Sequence, residues 1–345
     1  MLNGKKYEEA YKHLGKIVPG VELDMKLALV DEIERLKKEK NAVILGHNYM
    51  EPVLFYTIPD IKGDSLELAR KAAETDKDII VFCGVKFMAE TAKILNPQKT
   101  VLLPAEKAGC SLAESITADD VRALKKKFPG VPVITYINTY ADVKAECDIC
   151  CTSGNAAAVV ESFKSDTIIF LPDEFLAGNV ARETGKHIIF PKSGLDFSQK
   201  DLDLDYQMIG WKGRCEVHEQ FTVQDIENVR KQFNDVVILA HPECKPEVAS
   251  AADFSGSTSA MIRYVKESEA PHYLLLTECS MGDNIAAANP DKEMLRLCSV
   301  RCPHMNEITM EDTLKALKFN QYEISVDEDI RIRALQSVQR MLEIG

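Results

Sequence analysis

Three stretches of the chain share one grammar, and that repetition limits the fold more than any other feature. In the first, Ala42-Val43-Ile44-Leu45 runs into His47, and eighteen residues after His47 Ser65 opens a helical pattern, GDSLELARKA. In the second, Val133-Ile134-Thr135 leads to Tyr136, and Ser153 stands seventeen residues on, in TSGNAAAVVES. In the third, the run 236–240 leads to His241, with Thr258 seventeen residues on, in GSTSAMIRYVKE. Each stretch continues with a second apolar run and a second helical pattern: DIIVFCG and VKFMAETAKIL, DTIIFLP and DEFLAGNVARE, YLLLTE and SMGDNIAAA.

Apolar runs too continuous for one-sided strands, alternating with helical periodicity, predict small parallel α/β units with helices on both faces. The expected fold is therefore α/β: three similar three-layer α/β/α units with short parallel sheets, in pseudo-threefold arrangement around a central active site. The expected bounds are 1–112 for the first repeat with N-terminal helices, 113–219 for the second and 220–318 for the third. A C-terminal helical segment, 319–345, is expected to pack back on the core. Parallel sheets carry functional loops at their carboxyl edges, where His47, Tyr136 and His241 all fall. Ser and Thr at a helix start serve as N-caps, or they receive an anion together with free backbone N–H groups. Three such starts, each paired with a polar strand-end residue, favour the anion reading.

A net charge of −12 over 345 residues argues against nucleic-acid or anionic-membrane partners. No apolar run approaches the ~18 residues of a membrane span, and the N-terminal stretch lacks the apolar region of a secretory signal. The expected location is cytoplasmic, where ten cysteines would stay mostly reduced. Each unit is followed by a cysteine in a Gly- or Pro-marked loop: Cys110, Cys215 and Cys302. One thiolate from each repeat gives a threefold cage. Three ligands leave one iron of a [4Fe–4S] cluster open, and an open iron can act as a Lewis acid.

Zinc competes, but paired Cys-x2-Cys knuckles are missing. Cys150 reads as strand core, and Cys298 rivals Cys302, which Pro303 and the loop composition favour. Cys83, Cys244 and Cys279 fit core or pocket lining. His218 and His304, near cluster cysteines, fit hydrogen bonding to sulfur.

The phrases GHNYM, GDSLELAR, GVKFMAETAKILNPQKTVLLP, AGCSLAES, YINTYADVKA, TSGNA, HPE, GSTS and RCPHM together resemble the quinolinate synthase family, A-type, from residue 40 to the C-terminus. The resemblance implies condensation of iminosuccinate with dihydroxyacetone phosphate to quinolinate, phosphate and two waters, in NAD biosynthesis. It implies an oxygen-sensitive [4Fe–4S] cluster on Cys110, Cys215 and Cys302, and functional coupling to L-aspartate oxidase. It places the iminosuccinate carboxylates and nearby groups at His47, Ser65, Tyr136, Asn138, Ser153, His241, Glu243 and Thr258. Catalytic roles fall to Glu243, Tyr49 and His241, with Glu243 as acid and base if burial raises its pKa. The segment FPKSGLDFSQKDLDLDYQMIG before Cys215 looks longer than in some relatives, and Cys298-x3-Cys302 replaces a CxxC pair that some relatives carry.

Two other classes share parts of this pattern. An aconitase-type hydro-lyase would use the open iron on a hydroxy acid alone. An iron–sulfur sensor or carrier would need no matched polar residues at three strand ends. A radical enzyme using S-adenosylmethionine would show a compact C-x3-C-x2-C, which is absent.

Overall fold

In the computed structural model, which describes residues 7–297 and 300–344, the apolar runs become parallel strands. The first sheet holds β1 (Ala42–His47), β2 (Ile61–Gly63), β3 (Ile79–Cys83) and β4 (Thr100–Leu102), in the order β2-β1-β3-β4. The second holds β5 (Val133–Tyr136), β6 (Ile149–Cys151), β7 (Ile168–Leu171), β8 (Ile188–Ile189) and β9 (Met208–Ile209), in the order β6-β5-β7-β9-β8. The third repeats the first: β10 (Val236–Ala240), β11 (Phe254–Ser255), β12 (His272–Leu276) and β13 (Glu293–Leu295), in the order β11-β10-β12-β13. Every strand pairing within these sheets is parallel. The expected α/β class with three similar units is what the chain adopts. The second unit departs where its longer segment lies: residues 190–207 carry the short helix Gln199–Leu202 and return β9 between β7 and β8.

The spacing of 17 or 18 residues now has a structural cause. After each lead strand comes a short helix (Pro52–Thr57, Ala141–Ala145, Pro246–Ala251), then a short edge strand, then the helix-start loop. An aspartate before each edge strand clasps the lead strand in the same way. The Asp60, Asp148 and Asp253 carboxylates accept the N–H of Ile44, Val133 and Ile238, each at 2.8 Å. Their own N–H groups donate to the carbonyls of those same residues.

Burial on both sheet faces follows the continuous apolar runs. All six residues of β1 are buried, as are all four of β5 and of β7. The helix Gly20–Glu39 packs against Met310–Phe319, and the helix Glu328–Leu342 lies on Ala141–Ala145, β6 and Lys86–Leu95. Its buried stripe is Ala334, Ser337, Val338 and Met341. Among the described residues, no helix is long and apolar enough to cross a membrane.

Candidate active site

One cavity receives the carboxyl-edge loops of all three sheets. It is lined by His47, Tyr49, Ser65, Cys110, Tyr136, Asn138, Ser153, Cys215, His241, Glu243, Thr258 and Cys302, the positions to which the resemblance assigns substrate, catalytic and cluster roles, but not by Cys83, Cys244 or Cys279. Cys298, the rival of Cys302, lies outside the described residues. Cys150 is strand core, in β6, and Cys83 and Cys244 are fully buried.

Each lead strand delivers two of these side chains, two residues apart: His47 and Tyr49, Tyr136 and Asn138, His241 and Glu243. In the first and third units the pair also fixes a tautomer. The Tyr49 N–H donates to His47 Nδ1 at 3.2 Å, and the Glu243 N–H donates to His241 Nδ1 at 3.3 Å. Burial pushes His47 down to about 4; for His241 burial, with His218 beside it, pushes the pKa down to about 3. A neutral imidazole whose Nδ1 accepts carries its proton on Nε2. Both rings therefore offer an Nε2–H donor.

The helix starts differ from the expectation in a useful way. Asp64 caps Ser65–Glu74 by accepting from the Glu67 N–H, and Ser257 caps Thr258–Glu267 by accepting from the Ala260 N–H. Ser65 and Thr258 are thus the first helical residues rather than the caps, and their hydroxyls are spared that duty. Ser153 stands three positions before its helix begins at Ala156, in a turn closed by Asn155 Oδ1 accepting from the Thr152 N–H at 2.7 Å. The three starts also meet one another. The Ser257 hydroxyl donates to Asp64 at 3.2 Å, and a Cβ added at Gly154 would sit 3.6 Å from the Ser257 side chain.

Glu243 is only 2 % exposed and sits at the centre of a hydrogen-bonded chain. Its Oε2 lies 2.6 Å from His218 Nδ1, and its Oε1 accepts from Asn138 Nδ2 at 3.1 Å. His218 Nε2 lies 3.0 Å from Thr277 Oγ1, which lies 2.6 Å from Tyr49 Oη. The His218 ring stacks on His241 with centroids 4.5 Å apart. Burial alone would raise the Glu243 carboxyl, the direction expected from the sequence. The His218, His241 and Tyr136 groups around it outweigh burial and hold it below the usual carboxylate range. Burial keeps the Tyr49 and Tyr136 phenols protonated well above their ordinary value. The site thus holds an ionised acceptor and protonated donors in one chain, the separation that acid–base chemistry uses.

The three cysteines share a single local geometry. Backbone N–H groups two and three residues on point at each sulfur: Leu112 and Ala113 at Cys110, Val217 and His218 at Cys215, His304 and Met305 at Cys302. Such donors stabilise thiolate charge, while burial pushes the free Cys110 thiol up to about 12 and that of Cys302 to about 11. This donor set fits soft metal ligation by three thiolates. Cys215, His218 and Glu243 also place ligand atoms within 4.8 Å of one another, so a metal could be held there. The close His218–Glu243 hydrogen bond already satisfies those two groups.

The sequence points to His218 only as a partner of sulfur and carries no signal for Thr277, Asp64 or Glu278, although Asp64, His218 and Glu278 line the cavity. A second repeat in the sequence points to the cysteine turns. Seven residues after each of Cys110, Cys215 and Cys302 stands a Thr, and three further on an Asp. Thr117, Thr222 and Thr309 cap the next helices on the N–H of Asp120, Asp225 and Asp312. Counting from Cys298 instead reaches Met305, so the pattern selects Cys302.

Comparison with known proteins agrees along nearly the whole chain. A family model described as Quinolinate synthetase A protein matches residues 31–343. Quinolinate synthase 2 of Mesorhizobium japonicum is 50 % identical over 334 residues, covering 97 % of this chain and 97 % of that one. Quinolinate synthase of Agrobacterium fabrum is 50 % identical over 337 residues, 97 % of this chain and 91 % of its own. That of Xylella fastidiosa strain 9a5c is 50 % identical over 315 residues, 91 % and 87 % of the two chains.

Proposed function

The chain belongs to the quinolinate synthetase A family, and from that premise we propose how its cavity carries out the reaction. It is a quinolinate synthase, a condensing enzyme of NAD biosynthesis. Its substrates on this reading are iminosuccinate and dihydroxyacetone phosphate, which yield quinolinate, phosphate and two waters. The observation that carries the reading is the meeting of three strand-end pairs, three helix starts and three thiols in one cavity.

Cys110, Cys215 and Cys302 would hold a [4Fe–4S] cluster, which when bound supplies a Lewis-acidic iron for a hydroxyl leaving as water. The family's iron–sulfur dependence and the backbone N–H groups aimed at the three sulfurs support that cluster. Iminosuccinate is a dicarboxylate, yet no Lys or Arg is among the described residues lining the cavity. Neutral donors do the work instead: the Nε2–H groups of His47 and His241 and the hydroxyls of Ser65, Ser153 and Thr258. Tyr136 and Asn138 orient Glu243 from the second unit. Asn138 Oδ1 is buried without a partner, which suits an N–H of the imine or of the enamine it forms.

Ionised Glu243 accepts protons released as the carbon–carbon and carbon–nitrogen bonds form. Tyr49 returns a proton to a departing hydroxyl and is reprotonated through Thr277 and His218. The test is anaerobic: reconstitute the protein and assay quinolinate from the two substrates. Formation of quinolinate supports the reading. A reconstituted cluster with no quinolinate would move the assignment to a hydro-lyase, and absence of any cluster would remove its central element.

A further inference from the structure

Between His47 and Tyr49, both facing the cavity, stands a residue that has no part in the reaction scheme above. Asn48 is buried, 3 % exposed, and its Nδ2 donates to Thr258 Oγ1 at 2.9 Å across the boundary between the first and third units. A weaker contact at 3.4 Å reaches Ser259 Oγ. The backbone of Asn48 is fixed on both sides. Its N–H donates to the Gly63 carbonyl at 3.1 Å, and its carbonyl accepts from Asn284 Nδ2 at 3.2 Å.

We propose that Asn48 is a positioning residue that sets the polarity of the Thr258 hydroxyl. A hydroxyl has one proton and two acceptor sites. When its oxygen accepts from the Asn48 amide, the proton is left to point elsewhere. In a helix interior a threonine commonly returns that proton to the carbonyl one turn back. Thr258 is the first residue of its helix and has no preceding turn, and among the described residues no acceptor takes its proton. The proton is therefore available to a carboxylate in the cavity that Thr258 lines. In a site without Lys or Arg, an acceptor turned inward would oppose the dianion, so the orientation of this one hydroxyl bears on substrate selection. The inference rests on the reading that Thr258 receives a carboxylate of iminosuccinate.

The test compares Asn48→Ala, Asn48→Asp, Thr258→Val and the double variant Asn48→Ala/Thr258→Val in the reconstituted holoenzyme, scoring KM for iminosuccinate, kcat and iron content. Thr258→Val should raise KM about tenfold or more, the worth of a hydrogen bond to a charged group, with iron content unchanged. Asn48→Ala should raise KM in the same direction with kcat little altered. Asn48→Asp should be at least as damaging, because a carboxylate can only accept and would turn the Thr258 proton away from substrate. On the Thr258→Val background, Asn48→Ala should change KM less than about twofold, since coupled positions do not add. Near-parental KM in Asn48→Asp, full additivity in the double variant, or loss of iron with KM unchanged would each overturn the proposal while leaving the Thr258 reading in place. An unchanged KM in Thr258→Val would overturn both.

Discussion

At the scale of single residues, the cavity depends on where each proton sits. Tyr49 is protonated and lies at one end of a chain whose other end, Glu243, is ionised. Tyr49→Phe removes the donor and keeps the ring, so kcat should fall by about 10²–10⁴, the usual worth of a positioned acid, while iron content holds. A kcat within twofold of the parent would remove Tyr49 from the scheme. The thiols make a separate prediction. Cys110→Ser, Cys215→Ser and Cys302→Ser each take away a sulfur that two backbone N–H groups address, and each should lose iron after anaerobic reconstitution. Cys298→Ser should keep it, because the Thr and Asp that frame each cysteine turn are in register with Cys302.

At the scale of elements, two repeated devices hold the loops in place. The aspartate clasps join each lead strand to its edge strand, and Asp253→Ala should destabilise the third unit by about 1–2 kcal/mol, read as a lower Tm. The helix Glu328–Leu342 acts on the second unit. Its Arg333 guanidinium reaches Glu146 at 2.7 Å, and Asn155 Nδ2 donates to the Ile344 carbonyl at 2.8 Å just beyond its end. Partial burial pushes the Glu146 carboxyl up, but hydrogen bonds from Arg333 and Arg122 prevail and hold it below its ordinary value. A carboxyl depressed in the folded state adds stability that is complete above its unfolded pKa and lost as pH falls through the folded one. Thermal melts of the parent and Glu146→Gln should therefore differ at neutral pH and begin to converge only as pH falls below about 4. Constant separation across that range would rule out the carboxylate as the source.

At the scale of the whole molecule, the cavity shares part of its wall with the cores, since Phe87, Met88, Tyr136 and Val217 line it and also belong to the apolar clusters. Separate apolar clusters flank the sheets: one runs through the first two units, one lies on the other side of the second sheet, and two enclose the third. The thiols stand at loop ends where the units meet. Stripping iron with a chelator under anaerobic conditions should accordingly lower Tm, because a ligand bound only to the folded state stabilises it, yet leave far-UV circular dichroism largely unchanged. Collapse of the helical signal on stripping would show that the three sheets do not stand without the metal centre.

The sequence alone determined the number of units, the lead strands and the residues that end them, because continuous apolar runs and fixed spacings are local properties of the chain. It also carried the cysteine turns, in a Cys-Thr-Asp spacing visible without coordinates. It did not determine which neighbour caps each helix, so the hydroxyls of Ser65 and Thr258 became free only when Asp64 and Ser257 took the capping positions. Nor did it reveal the ionisation of Glu243, for which burial by itself predicts the opposite direction. That state is set by His218, His241 and Tyr136, and the proton path continues through Thr277 to Tyr49. These residues are scattered over all three units, and only the meeting of the units' loops at the cavity brings them within hydrogen-bonding distance.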